Sequence, residues 1–146
     1  MTNEPAYIAS PSQRAADQVA LYESTEGREG NLMRGMPVTI VTHRGRKTGG
    51  IRKTPLMRVA DGEDCYVIVA SIGGAPKHPV WYYNLLEDQN VTFRDGAKVL
   101  EMRARLIEEP EERDRLWAVA CEAYPDYAVY QTRTERVIPV FRIEPR

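Results

Sequence analysis

Alternation of apolar and polar positions runs through the middle of the chain. Met36 to His43 reads Met-Pro-Val-Thr-Ile-Val-Thr-His, rich in β-branched residues, and predicts a strand. Arg52 to Val59 is expected to partner it, and Asp61-Gly62 reads as a hairpin turn. Cys65 to Ser71 is the most apolar run and predicts a central strand buried on both faces. Val91 to Arg94 is a short strand ended by the turn pair Asp95-Gly96. From Ala97 to Ile107, Val99, Glu101, Arg103 and Arg105 fall on one face and Leu100, Met102, Ala104 and Leu106 on the other, as in a half-buried strand. Val137 to Ile143 predicts a last strand, with Pro139 marking an edge or a bulge.

Helical signals flank these runs. Met1 to Ser10 reads as loose chain. Ser12 to Glu26 carries a thin stripe of Val19, Leu21 and Tyr22, opened by Pro11 and Ser12 and closed by Gly27 and Gly30; a helix this polar reads as a surface lid or arm. Pro79 opens a helix over Val80 to Glu87, with Trp81 and Leu85 on one face. Pro110, Glu111 and Glu112 open another, with acids at the positive end of the dipole and a core stripe of Leu116, Ala120 and Ala123. Pro125 interrupts it, and a short helical piece continues through Arg133. About six strands and three or four helices, joined by hairpin-like turns, predict an α+β fold that is mainly antiparallel, a sheet curled toward a barrel with attached helices. Residues 1–35 are expected to form an N-terminal tail and surface helix, and residues 36–146 the barrel domain.

Composition narrows the class. A length of 146 residues suits one domain, and 42% hydrophobic and 28% charged residues are ordinary for a globular protein. No apolar run approaches the about 18 residues of a membrane span, and Met1 to Ser10 lacks the basic and apolar parts of a secretory signal. The cytoplasm is the expected compartment, with peripheral contact at the inner membrane face left open and no stable anchor foreseen. Cys65 and Cys121 are expected as reduced thiols. Neither Cys-x-x-Cys nor His-x-x-x-His spacing occurs, so no metal is expected.

Charge changes the picture. The net charge is −1, yet His43 to Arg58 holds six Arg and Lys side chains and no acid. A local positive field on a neutral chain is a place for an anion. Lys47, Thr48, Gly49 and Arg52 are spaced so that both ends of a Gly-rich loop converge on one phosphate or carboxylate. The spacing is neither a Walker A loop nor Gly-x-Gly-x-x-Gly, and a solvated basic hairpin tip is the alternative. Ala70 to Pro79 ends a buried strand in two glycines and a Lys77-His78 pair ahead of a helix, a second candidate cradle. Trp81, Tyr82 and Tyr83, with Tyr124, Tyr127 and Tyr130, offer flat walls with hydroxyls; core packing is the alternative. Ser71 has no convincing histidine partner, His43 and His78 being the two available. A chain without its own reactive set borrows chemistry, and an anion cradle beside an aromatic slot suits a phosphorylated, ring-bearing cofactor.

These blocks together resemble the deazaflavin-dependent nitroreductase family. They are Arg46-Lys47-Thr48-Gly49 with Arg52, Thr54, Pro55 and Leu56; Val69-Ala70-Ser71 with Gly73-Gly74; Lys77-His78-Pro79 with Trp81-Tyr82 and Asn84-Leu85; and Tyr124-Pro125 with Tyr127, Tyr130 and Gln131. The resemblance covers residues 36–143. It implies a split β-barrel of the flavin-mononucleotide-binding type, coenzyme F-420, and two-electron reduction of a small acceptor: a quinone, nitroaromatic or activated enone. By position, Arg46, Lys47, Thr48, Arg52 and Thr54 would hold the phosphate and acidic tail. Pro55 and Leu56 would pass under the ring. Ala70, Ser71, Gly73, Gly74 and Lys77 would line the ring and ribityl side, and Trp81 would shape the pocket. Tyr124, Tyr127 and Tyr130 would wall the substrate space, with Tyr127, Tyr130 or Ser71 as donor to developing charge. Ile72 stands where relatives often carry a polar residue. A coenzyme carrier and an FMN-dependent reductase of the same fold are the alternatives. A nucleic-acid partner is not expected, and monomer and homodimer are both open.

Overall fold

The strand-forming runs pair into one curled antiparallel sheet. The computed structural model describes residues 5–146. Its strands are β1 (Leu32–Met33), β2 (Met36–Arg44), β3 (Ile51–Met57), β4 (Tyr66–Val69), β5 (Asn90–Asp95), β6 (Lys98–Leu106) and β7 (Val140–Pro145). Its helices are α1 (Gln13–Ser24), α2 (Val80–Glu87), α3 (Pro110–Ala123) and α4 (Asp126–Thr132), and Ile72–Gly74 makes a single 3-10 turn. The order is β1-β2-β5-β6-β7-β4, with β3 on the other side of β2. The two ends meet: Val67 N–H donates to the Val59 carbonyl at 2.8 Å, and Ala60 bridges Tyr66. The result is the curled, mainly antiparallel barrel that the strand pattern implied, and it agrees with the split barrel that the resemblance implies.

Two apolar clusters fill it. Ile68, Leu85, Phe93, Met102, Phe141 and Ile143 pack together with Trp81. Val67, Leu116, Ala120, Ile138 and Val140 form the second, with α3 and α4. β4 feeds both, Tyr66 and Ile68 to one and Val67 and Val69 to the other, so it is buried on both faces as expected. It is not central, however; it ends the ladder beside β7, and the curl of the sheet supplies its second covering layer. β6 keeps the expected alternation, with Met102 and Ala104 buried and Glu101 and Arg103 exposed. The last strand starts after Pro139, whose carbonyl accepts from Ala70 N–H at 3.0 Å.

The N-terminal region is more ordered than its composition suggested. Met1 to Glu4 lie outside the described residues. Beyond them Ala6 and Ile8 pair with Ile51 at the edge of β3, through hydrogen bonds of 2.9 and 2.8 Å. α1 is a surface helix but no free arm: Val19 and Tyr22 bury against Val38 and Ile40, and Tyr22 Oη accepts from Gly96 N–H at 2.7 Å. Leu21, expected in the stripe, points outward. Ser12 caps the helix by accepting from Ala15 N–H at 3.3 Å. Cys65 and Cys121 are free, partly buried thiols. No described helix is long and apolar enough to cross a membrane.

Candidate active site

The β2–β3 connection closes on itself. Gly45 N–H donates to the Gly50 carbonyl and Gly49 N–H to the Gly45 carbonyl, each at 2.8 Å. This turn presents Arg46, Lys47 and Thr48 to a cavity of about 600 Å³ that Arg52, Lys77, His78 and Arg136 also line. No acid lines it. Among the described residues none of its five cations pairs with a carboxylate, whereas Arg58, Arg105, Arg115 and Arg142 each do. Unneutralised cations around a closed turn are an anion site. Ile8 forms part of the wall and packs closely over Gly50, where a Cβ would lie 2.3 Å from Ile8 Cδ1 and make that side chain shift.

Two further cavities continue from it. One of about 220 Å³ shares Arg52, Val80 and Asn84 with the cationic cavity and adds His43, Thr54 and Trp81. The next, of about 390 Å³, shares Thr54 and Trp81 and is walled by Pro55, Leu56, Ser71, Gly73, Tyr127 and Tyr130. A charged cavity, a smaller middle one and a phenol-lined one thus adjoin in that order through shared lining residues. A phosphorylated, acidic, ring-bearing coenzyme fits this donor set.

The phenols are not equivalent. Tyr124 and Tyr130 share a hydrogen bond of 2.8 Å between their hydroxyls. Tyr127 lies between them and Trp117 with its ring edge-on to Tyr124, and its hydroxyl has no protein partner among the described residues. Burial pushes its pKa well above the ordinary 10. Burial and the Tyr130 contact push Tyr124 up to about 12.

Most of the expected residues converge here. Arg46, Lys47, Thr48, Arg52 and Lys77 meet at the cationic cavity. Pro55, Leu56, Ser71, Gly73, Trp81, Tyr127 and Tyr130 meet at the aromatic one. Thr54 sits away from the cationic cavity, in the middle and aromatic ones. Lys77 faces the anion end, not the ring end. Ala70, Gly74 and Tyr124 line none of these cavities: Ala70 and Gly74 act through backbone packing, and Tyr124 lies behind Tyr130.

Three participants escaped the sequence reading. Arg136 donates to the carbonyls of Ala75 at 2.8 Å, Ala70 at 3.0 Å and Ser71 at 2.7 Å, pinning the loop that carries Lys77. It also reaches His78 Nδ1 at 3.0 Å; burial and this guanidinium hold the imidazole below its ordinary pKa. His43 and Asn84 form a buried pair under the trough, with Asn84 Nδ2 3.3 Å from His43 Nδ1. Burial, with Arg52 beside it, lowers His43 to about 4, so it is neutral at pH 7. Only tertiary contact shows these roles; one signal was local, since Asn84 follows Trp81 on the face of α2 that turns toward the loop.

Comparison with known proteins decides the family. The family model described as F420H(2)-dependent quinone reductase matches residues 14–145. The chain belongs to that family. Its match takes in α1, which the resemblance from residue 36 had left out. An F420H(2)-dependent quinone reductase of Mycobacterium tuberculosis is 40% identical over 125 residues, covering 83% of each chain. The structure of an F420-H2 dependent reductase, FDR-A, is 50% identical with a TM-score of 0.69, covering 74% of this chain and 94% of that one. A domain-swapped dimer superposes with a TM-score of 0.72 at 45% identity, covering 88% and 92%. The family's chemistry makes this protein an F-420-dependent oxidoreductase that reduces a small-molecule acceptor.

Proposed function

We propose that the charged end of the trough, with Arg46, Lys47, Thr48, Arg52 and Lys77, holds the phosphate and acidic arm of F-420. Pro55, Leu56, Ser71, Gly73 and Trp81 would hold its ring, and Tyr127 and Tyr130 would face the acceptor. When bound, the reduced coenzyme supplies a hydride carried on carbon, two electrons in one step. The protein's part is to bind, orient and exclude water. The aromatic walls keep the acceptor flat, and quinones, nitroaromatics and activated enones suit such a slot.

Charge develops on an acceptor oxygen as it is reduced, and a fixed donor there lowers the barrier. Tyr127 Oη is free for that role. Burial keeps its proton in place across the neutral range, so it stabilises the charge by donating a hydrogen bond. Tyr130 is oriented by Tyr124, and the Ser71 hydroxyl is a second donor.

The observation that carries this reading is the group of cations, unpaired with any carboxylate among the described residues, whose cavity is linked to the phenol-lined one through the shared walls of the middle cavity. The test is oxidation of reduced F-420 followed spectroscopically with menadione as acceptor, and reduced FMN as control. Menadione-dependent oxidation of the deazaflavin is expected. Tight F-420 binding without turnover would favour a carrier instead, and preference for FMN would favour a flavin enzyme of this fold.

A further inference from the structure

Beneath the trough, four groups form one hydrogen-bonded chain whose polarity can be read without seeing a hydrogen. Arg46 N–H can only donate, and it lies 3.0 Å from Asn84 Oδ1. That fixes the amide: Oδ1 accepts, so Nδ2 is the edge facing His43 Nδ1 at 3.3 Å. An amide nitrogen donates, so Nδ1 accepts and carries no proton. A neutral imidazole then holds its proton on Nε2, 3.0 Å from Thr54 Oγ1. Thr54 therefore accepts from His43, and its own hydroxyl proton has no acceptor among the described residues. Thr54 lines both the middle and the aromatic cavities, so that proton is offered to their occupant.

We propose that His43 and Asn84 are positioning residues which make Thr54 a hydrogen-bond donor to an acceptor atom on the bound coenzyme, and so link the conformation of the anion-binding turn to the ring end of the site. Resting on the coenzyme assignment above, this adds a directional requirement: the group opposite Thr54 must present a lone pair. Both middle members are buried, His43 at 4% and Asn84 at 3% exposure, so water cannot readily substitute for either. The chain begins at a backbone group of the turn that carries Arg46 and Lys47. A displaced turn releases Asn84, then the tautomer, then the direction of the Thr54 hydroxyl.

The test combines nitrogen-15 NMR of the histidines with F-420 titration by fluorescence. In the unaltered protein the His43 spectrum should show a protonated Nε2 and an unprotonated Nδ1. Thr54→Val should weaken F-420 binding by about tenfold, the scale of one lost hydrogen bond, and Thr54→Ser should restore it. Asn84→Ala should weaken binding in the native background and add little on top of Thr54→Val, because it acts through the same hydroxyl. A protonated Nδ1, unchanged affinity in Thr54→Val, or full additivity of the two substitutions would overturn the relay. Failure of the unaltered protein to bind F-420 would instead overturn the coenzyme assignment, and the proposal with it.

Discussion

Gly74 and the carbonyl oxygen of Tyr130 are in contact so close that a Cβ on Gly74 would lie 2.4 Å from that oxygen. The contact seats the loop after β4 against α4, setting Ser71 and Gly73 opposite Tyr127 and Tyr130 across the aromatic cavity. Gly74 also has φ of +83°, a backbone region costly for any other residue. Gly74→Ala should therefore destabilise the protein by about 1–3 kcal/mol and lower acceptor turnover as the walls separate. Thermal unfolding measures the first effect, and an unchanged melting temperature would contradict the contact.

Ile72, two residues earlier in the same turn, has φ of +41° and is 52% exposed. A β-branched residue in that region is strained, and it lies on the lip of the cavity. Ile72→Asn, which tolerates the left-handed region, should stabilise the fold by about 1 kcal/mol. A lowered melting temperature would mean that Ile72 makes packing contacts worth more than its strain.

The cationic cavity predicts which charges matter. Lys47→Ala and Arg52→Ala should each weaken F-420 binding by about 1–3 kcal/mol, as for a charge-assisted contact. Arg115→Ala should leave affinity unchanged, because Arg115 is committed to Asp61 at 2.9 Å outside the cavity. Titration of the three variants checks this, and equal losses in all three would point to general charge in place of a built site.

The two phenols should separate kinetically. Tyr127→Phe removes a free donor and should lower kcat/KM for a quinone by about tenfold or more while F-420 affinity holds. Tyr130→Phe should cost less, since the Tyr130 hydroxyl is already engaged with that of Tyr124. The reverse order would transfer the donor role to Tyr130.

His43 gives a pH signature. Its pKa is lowered from 6.5 to about 4 by burial and Arg52, so the folded state binds its proton more weakly than the unfolded state does. Its stabilising contribution is complete above pH 6.5 and is lost as pH falls toward 4, by an amount on the order of 3 kcal/mol. Asp61, Glu112 and Glu144, held low by arginines, lose theirs at lower pH, and that loss is common to any His43 variant. Denaturant unfolding of the native protein should therefore weaken from pH 6.5 to 4 more steeply than that of His43→Asn. Parallel profiles would show that His43 is accessible to water.

Local pattern revealed most of the architecture because strand alternation and proline-opened helices are short-range signals. β6, α2 and the break at Pro125 were legible for that reason. The place of β4 was not, since an apolar run reports burial and says nothing about which neighbour supplies it. Lys47, Arg52 and Tyr127 could be proposed from charge and side-chain type. Arg136 could not, because its work is done on the carbonyls of Ala70, Ser71 and Ala75, distant in sequence. His43 and Asn84 likewise gain meaning only from each other. The N-terminal segment was underestimated because Ala6 and Ile8 are held by backbone bonds to Ile51, which composition does not encode.

Fluorescence titration of the purified protein with F-420, with FMN run alongside, tests the central claim most directly. Saturable binding of the deazaflavin at micromolar or lower concentration, with FMN markedly weaker, is the predicted result. No uptake of F-420, or equal uptake of FMN, would contradict the account.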